Sequence, residues 1–565
     1  MNDRSKNWPH LTLDEAHGRL TAPGAPFETV PAMVRGVEMP VWKHVPATAA
    51  EAFARAMAHG AREFLVYQQE RITYDGFARA GLAASALLTE RGLKKGDRVV
   101  LVMRNLPEWP AVFMGALLAG AIVVPLNAWW TGTELAYAIL DSGARFVFAD
   151  AERLARLVDL PPAQVFVTRA ANPPPGVTVL EDVIGAPDHW QALPERAMPD
   201  VALAPEDDAT IFYTSGTTGA PKGALGTHRS LTTNIFAAPF SEARNALRRG
   251  KSEPEGVKQK QRITLLAVPF FHVIGSLSVL LPNMVAGNKL VLMRKFEPAE
   301  ALGLIEREGV TVAGGVPAVP LALLEQAGGR DLSSLELVNF GGAPSPPSLA
   351  ARIRESLGAM PGQGWGMTET SATCTTHSAE EYLYRPASCG PALPVSRLKI
   401  MKDGMEQPPG TAGELWAFGP NIAKGYWNRA EATAAAFRNG WLKTGDVAML
   451  DEEGFCTILD RGEDMLIRGG ENIYCIEVEN ILIQHPAVAD AALIGLPHPI
   501  LGEVPAALIQ TRPGADLSEG EIREFAAARL AAFKVPARVR ISQDLLPRNE
   551  GGKLIKSVLR RLFGA

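Results

Sequence analysis

At 565 residues the chain exceeds what one hydrophobic core usually organises, so at least two domains are expected. A composition of 47% hydrophobic and 21% charged residues describes a globular protein, and a net charge of -5 leaves no electrostatic footprint for nucleic acid or an acidic membrane. Four cysteines (Cys374, Cys389, Cys456 and Cys475) are too few and too scattered for a disulfide framework or a structural zinc site.

Residues 1–7 carry charge without an apolar core, so no secretory signal is expected. Residues up to about Thr48 are rich in Pro, Gly and His without a sustained period and read as irregular structure wrapping the first domain. A helical period over 49–58 leads to an apolar strand at 65–67. Residues 73–91 read as a helix opened by Thr73 or Asp75 and closed by Gly92. The continuous apolar run 98–103 is of the kind buried in parallel sheets, and strands at 122–126 and 146–149 follow, with a helix over 133–139 between them. The longest apolar run, 111–126, is interrupted by Gly115, Gly120 and Pro125 and falls short of the roughly 20 residues a membrane span needs. It reads as a buried helix feeding a strand, and a cytoplasmic protein without a transmembrane segment is expected. Such alternation predicts an α/β sheet covered on both faces.

The stretch Tyr213-Thr-Ser-Gly-Thr-Thr-Gly-Ala-Pro-Lys-Gly223 then places Gly216 and Gly219, the hydroxyls of Thr214, Ser215, Thr217 and Thr218, and the cation of Lys222 behind an apolar lead. Such a loop can wrap a polyphosphate, because glycine lets backbone N–H groups approach an anion and lysine balances its charge. An ordinary polar turn seldom gathers so many donors. A Walker A loop would need Gly-Lys-Ser/Thr opening a helix, whereas Lys222 follows Pro221 and precedes Gly223. The charged run 241–262 reads as a solvated surface insertion. Strand–helix alternation resumes to about Trp365. Short strands and turns after Arg385 suggest a β-rich subdomain, and about a hundred residues past Asp460 form a compact remainder.

Seven segments in this order resemble the adenylate-forming enzymes: acyl-CoA synthetases, luciferases and peptide-synthetase adenylation domains. The first is the glycine/hydroxyl loop, whose match implies phosphate binding. Pro269-Phe-Phe-His-Val-Ile-Gly275 taken alone could hold a core histidine; the resemblance puts His272 at the carboxylate pocket. Asn339-Phe-Gly-Gly-Ala-Pro344 reads as a strand end and turn, which the resemblance places under the adenine through Gly342, Ala343 and Pro344. Gly364-Trp-Gly-Met-Thr-Glu-Thr370 carries Glu369 as the magnesium carboxylate, Thr368 as an α-phosphate contact, and Trp365 with Gly366 beside adenine. The family usually has tyrosine where this chain has Trp365. An indole keeps the flat face, but its N–H cannot replace a phenol as acceptor.

In Lys443-Thr-Gly-Asp446, the resemblance gives Asp446 the ribose hydroxyls. The segment 460–473 resembles the hinge, with Arg461 on the nucleotide and Gly469-Gly470 along the pantetheine path. Glu463 stands at the pivot, where the family generally has Asp or Lys, and Asp464 is the adjacent candidate. In 546–556 the match makes Lys553, rather than Lys556, the adenylation lysine. Phe236, Phe240, Val273 and Gly341 are implied as acyl-pocket positions.

The fold implied is α/β: two α/β subdomains and a β-rich one in residues 1–460, the AMP-binding domain, then a small mobile α+β domain in 461–565. The function implied is an AMP-forming acyl-CoA synthetase using ATP, Mg2+ and CoA, as monomer or homodimer. It would activate a medium- or long-chain fatty acid or, alternatively, an aryl or sterol-type acid. A luciferase-like oxygenase shares the adenylation chemistry. A peptide-synthetase module would need a carrier domain beyond Lys553, and a non-catalytic nucleotide binder would not need Lys222, Glu369, Asp446, Arg461 and Lys553 together.

Overall fold

The computed structural model describes residues 8–157, 163–214, 221–251, 260–343, 345–462, 464–468, 471–548 and 554–564. Thr73 caps the helix Tyr74–Glu90 by accepting from the Gly76 N–H, so the first of the two expected helix-opening residues is used. The apolar run resolves into a fully buried helix, Glu108–Leu118, and a strand, Ile122–Pro125. The two helices cross closely at Gly115, where a Cβ would lie 2.6 Å from the Gly81 carbonyl oxygen.

Two eight-stranded sheets flank these helices. The first runs, edge to edge, Gly425–Tyr426, Lys222–Thr227, Asp208–Thr214, Ile122–Pro125, Arg98–Val102, Phe146–Asp150, Gln164–Thr168 and Val177–Val179. The second runs Thr375–Ser378, Met360–Trp365, Leu337–Gly341, Val312–Gly315, Ile263–Leu266, Lys289–Leu292, Glu63–Tyr67 and Glu70–Thr73. Their central strands are parallel and largely apolar, because helices cover both faces. One core joins them: Leu65 and Leu290 from one sheet, Val99 and Val123 from the other, with Phe77 and Phe113 of the helices between.

A seven-stranded antiparallel sheet over residues 390–461 forms the β-rich part, and a five-stranded sheet begins at Leu466. This is the α/β arrangement with a large N-terminal and a small C-terminal part. No helix among the described residues is long and apolar enough to cross a membrane.

Two expectations are corrected. The N-terminal region is not irregular: it holds a helix, Leu13–Thr21, with a Thr12/Glu15 capping box, and a hairpin of Thr29–Val34 with Val37–Trp42. Nor is the whole charged run solvated. Its start belongs to the helix Ala237–Arg248, where Arg244 and Arg248 are fully buried and both reach the buried Glu381 carboxylate, at 2.7 and 3.1 Å. Residues 252–259 of that run lie outside the described residues. A charge pattern read along the chain cannot show a carboxylate more than a hundred residues away.

Candidate active site

The strand Lys222–Thr227 pairs antiparallel with Asp208–Thr214, and Thr214 faces Lys222 at the open end of this hairpin. Residues 215–220 between them, with Ser215, Gly216, Thr217, Thr218 and Gly219, lie outside the described residues. Gly223 must be glycine, since a Cβ there would stand 2.5 Å from Ile211. On its other edge this strand pairs with Gly425–Tyr426, and the Lys222 ammonium sits 5.3 Å from the centre of the Tyr426 ring. The Tyr426 hydroxyl donates to Glu369 Oε1 at 2.8 Å. Burial and then the Glu369 charge raise the phenol's pKa far above its ordinary value, so it remains a donor.

Glu369 is buried in a short turn, Thr368–Thr370, that follows the strand Met360–Trp365. Ser371 and Ala372 beyond it adopt φ of 47° and 89°, a left-handed path that costs on the order of 1–3 kcal/mol per residue and needs support. Two buried asparagines supply it. Asn234 donates to the Ser371 carbonyl and accepts from the Thr373 N–H at 2.8 Å. Asn421 donates to the Thr370 and Thr373 carbonyls, each at 3.1 Å. Gly366 completes the turn, because a Cβ there would overlap the Ala372 carbonyl oxygen. Sequence reading missed Tyr426, Asn234 and Asn421. Only the aromatic Gly425-Tyr-Trp427 run, flanked by turn residues, signalled any of them.

On a second side, Asp446 and Arg461 are cross-strand partners, with Arg461 Nε 2.8 Å from Asp446 Oδ1. The Trp365 indole N–H donates to Asp446 Oδ2, also at 2.8 Å. The tyrosine-to-tryptophan departure therefore exchanges an acceptor for a donor that finds a carboxylate.

On the third side, His272 begins the tight turn leading into the π-helix Ile274–Leu280; its carbonyl accepts from the Ser276 hydroxyl at 3.0 Å. Its ring lies against Phe271 and Trp129. Gly342, at φ 77°, faces Ile274, whose Cδ1 would be 3.0 Å from a Cβ there, and Ser278 bonds the Thr373 hydroxyl at 3.0 Å. Gly341, Gly342, Val273 and the turn after Glu369 thus border one region; Ala343 follows it and Pro344 lies outside the described residues. Phe236 is half-buried beside this region, whereas Phe240 is fully buried against Phe27 and Trp42. The Phe240 side chain therefore belongs to a second layer.

Residues 52–427 match the family model described as AMP-binding enzyme, and residues 477–553 match the AMP-binding enzyme C-terminal domain. The chain belongs to the AMP-binding enzyme family. It is 37% identical over 481 residues to the 2-succinylbenzoate–CoA ligase of Geobacillus kaustophilus, covering 84% of this chain and 90% of that one. It is 35% identical over 507 residues to a long-chain-fatty-acid–CoA ligase of Mycobacterium tuberculosis, covering 88% and 94%. The Bacillus subtilis o-succinylbenzoate CoA synthetase, solved with an acyl-adenylate, superposes with a TM-score of 0.74 at 31% identity, over 91% of this chain and 98% of that one. This AMP-binding enzyme is an acid–thiol ligase that works with ATP, Mg2+ and CoA.

In this AMP-binding enzyme Glu463, expected as the pivot, the Gly469-Gly470 pair and Lys553 lie outside the described residues. Their surroundings are described. An isolated antiparallel bridge pairs Arg548 with Leu554. Lys556, just beyond, is mostly buried and pairs with Asp464 at 3.3 Å. Burial opposes its charge, but Cys475, Glu479, Asp464 and Asp460 around it more than offset that and raise its pKa. Lys556 is thus engaged inside the C-terminal part. Asp460, at the end of the seven-stranded sheet, accepts from the Cys475 N–H that opens the helix Cys475–Leu482.

Proposed function

We propose that the ligase joins a hydrophobic carboxylic acid to CoA in two half-reactions at the junction of Lys222, Tyr426, Glu369, Trp365, Asp446 and His272. In the first, a carboxylate oxygen attacks the α-phosphorus of ATP, forming the acyl–AMP anhydride and releasing pyrophosphate. In the second, the CoA sulfur attacks the acyl carbon, the thioester forms and AMP leaves. The supporting observation is the Lys222–Tyr426–Glu369 contact series, which sets a cation, a fixed donor and a buried carboxylate at the mouth of the phosphate loop.

A single buried carboxylate suits Mg2+, which takes most of its ligands from phosphate and water. Glu369 would hold it, with Tyr426 fixing one carboxylate oxygen; bound there, the ion offsets polyphosphate charge. Asp446, oriented by Trp365 and Arg461, would accept from the ribose hydroxyls. Thr368 and His272 would face the α-phosphate and the acid. Lys553 would bridge carboxylate and phosphate, arriving with a domain that turns about Glu463 and passes CoA along Gly469-Gly470. The fatty-acid expectation and the aryl alternative are both represented among the relatives, one of which is named for 2-succinylbenzoate and one for long-chain fatty acids.

The test is pyrophosphate release from purified protein with Mg-ATP and a panel of fatty, aryl and sterol acids, with and without CoA. Release with one acid class, thioester only when CoA is added, and loss of both in Glu369→Gln are expected. Release unaffected by Glu369→Gln would remove Glu369 from the site.

A further inference from the structure

Residues 8–48 precede the family match, which begins at residue 52, and form an arm whose Leu11, Leu20, Phe27 and Trp42 pack with the helix Ala237–Arg248. Several hydrogen bonds fasten it, including those from the His10 N–H to the Arg248 carbonyl and from Arg35 to the Ile422 carbonyl, both at 2.8 Å. The buried Arg248 guanidinium donates to the Leu11 carbonyl, and the Trp42 indole donates to the Thr233 carbonyl, each at 3.2 Å. Between these anchors Phe27 and Trp42 meet Phe236 and Phe240, with ring centroids 5.4–6.2 Å apart. At that spacing the rings are in contact and leave no passage for an alkyl chain between them. Phe27, Trp42 and Phe240 are buried in this cluster, and only Phe236 also packs against the core that holds Val273 and Ile274.

Phe236 closes the turn Asn234–Phe236. At the other end of that turn Asn234 holds the Ser371 carbonyl and the Thr373 N–H, next to Glu369. The turn also packs on the π-helix Ile274–Leu280 beside His272. One short element therefore touches the catalytic loop at its start and the arm at its end.

We propose that the N-terminal arm supplies the end wall of the acyl pocket: Phe27 and Trp42 back Phe236 and restrict the ligase to compact acids, an aromatic ring or a short alkyl chain. The proposal rests on the ligase reading above. An acid entering past His272 would meet a ring whose far side is already occupied, so each further methylene must displace packed aromatics rather than fill space.

Pyrophosphate release is measured with benzoate, cinnamate, octanoate and palmitate, for wild type and for Phe27→Ala. Wild type is expected to use the shorter acids about tenfold or more better than palmitate, in the range that a few methylenes in an apolar pocket can decide. Phe27→Ala, which opens space behind Phe236 without touching the nucleotide side, is expected to narrow that gap about tenfold and leave the KM for ATP unchanged. Should Phe27→Ala not fold, the smaller truncation Phe27→Leu at the same arm position carries the same comparison. Palmitate used as well as benzoate by wild type, or an unchanged ratio in a folded variant, would overturn the inference. Pyrophosphate from no acid at all would overturn the ligase reading itself, and the inference with it.

Discussion

The indole N–H of Trp365 donates to Asp446 Oδ2 at 2.8 Å while Arg461 holds Oδ1 at the same distance. A carboxylate gripped from both sides cannot swing, so its remaining lone pairs point in fixed directions. Trp365→Phe keeps a flat ring and removes the donor. Hydrogen bonds to charged groups contribute about 1.5–3 kcal/mol, so the KM for ATP should rise about tenfold or more with kcat much less affected. Combined with Asp446→Asn the loss should be less than additive, as a double-mutant cycle on pyrophosphate release would read.

Tyr426→Phe removes the hydroxyl that orients Glu369 and leaves its Oε1 without that donor. The expected result is a fall in kcat of about tenfold or more together with a higher Mg2+ requirement, since one buried charged hydrogen bond is lost. A magnesium titration of pyrophosphate release distinguishes this from a general loss of fold.

Glu479 is half-buried, accepts from the Leu493 N–H at 2.7 Å, and the desolvation of its carboxyl pushes its pKa up to about 7 from an ordinary 4.5. The folded state therefore binds the proton more tightly than the unfolded chain. That contribution is complete below about pH 4.5 and is lost as pH rises towards 7, a change of about 3 kcal/mol. Denaturant unfolding of the C-terminal part should show stability declining across this window, and Glu479→Gln should flatten the decline. Asp460, raised by burial to about 6, adds a smaller slope of the same sign.

Glu381→Ala strands the buried Arg244 and Arg248 charges. Breaking one side of a buried ion cluster costs about 3–5 kcal/mol, so the unfolding midpoint should fall well below that of an exposed control such as Glu195→Ala. The same change should loosen the arm, because Arg248 also holds the Leu11 carbonyl. Faster proteolysis within residues 8–48 would report it.

The sequence by itself determined the α/β alternation and singled out the run 213–223, Glu369 and Asp446 as candidate site residues. Those signals are local: apolar runs long enough for buried strands, glycines where the chain must turn, and donors gathered within a few residues. Only the tertiary structure decided which groups meet. Tyr426 lies 57 residues from Glu369, Trp365 is 81 from Asp446, and Asn234 is 137 from Ser371. Only packing could show that Arg244 and Arg248 are core residues, that Lys556 is already paired, and that Phe240 faces the arm. The reason is physical: a polar group's role depends on the partner that accompanies its burial, and sheet register and helix packing, not spacing along the chain, bring that partner near.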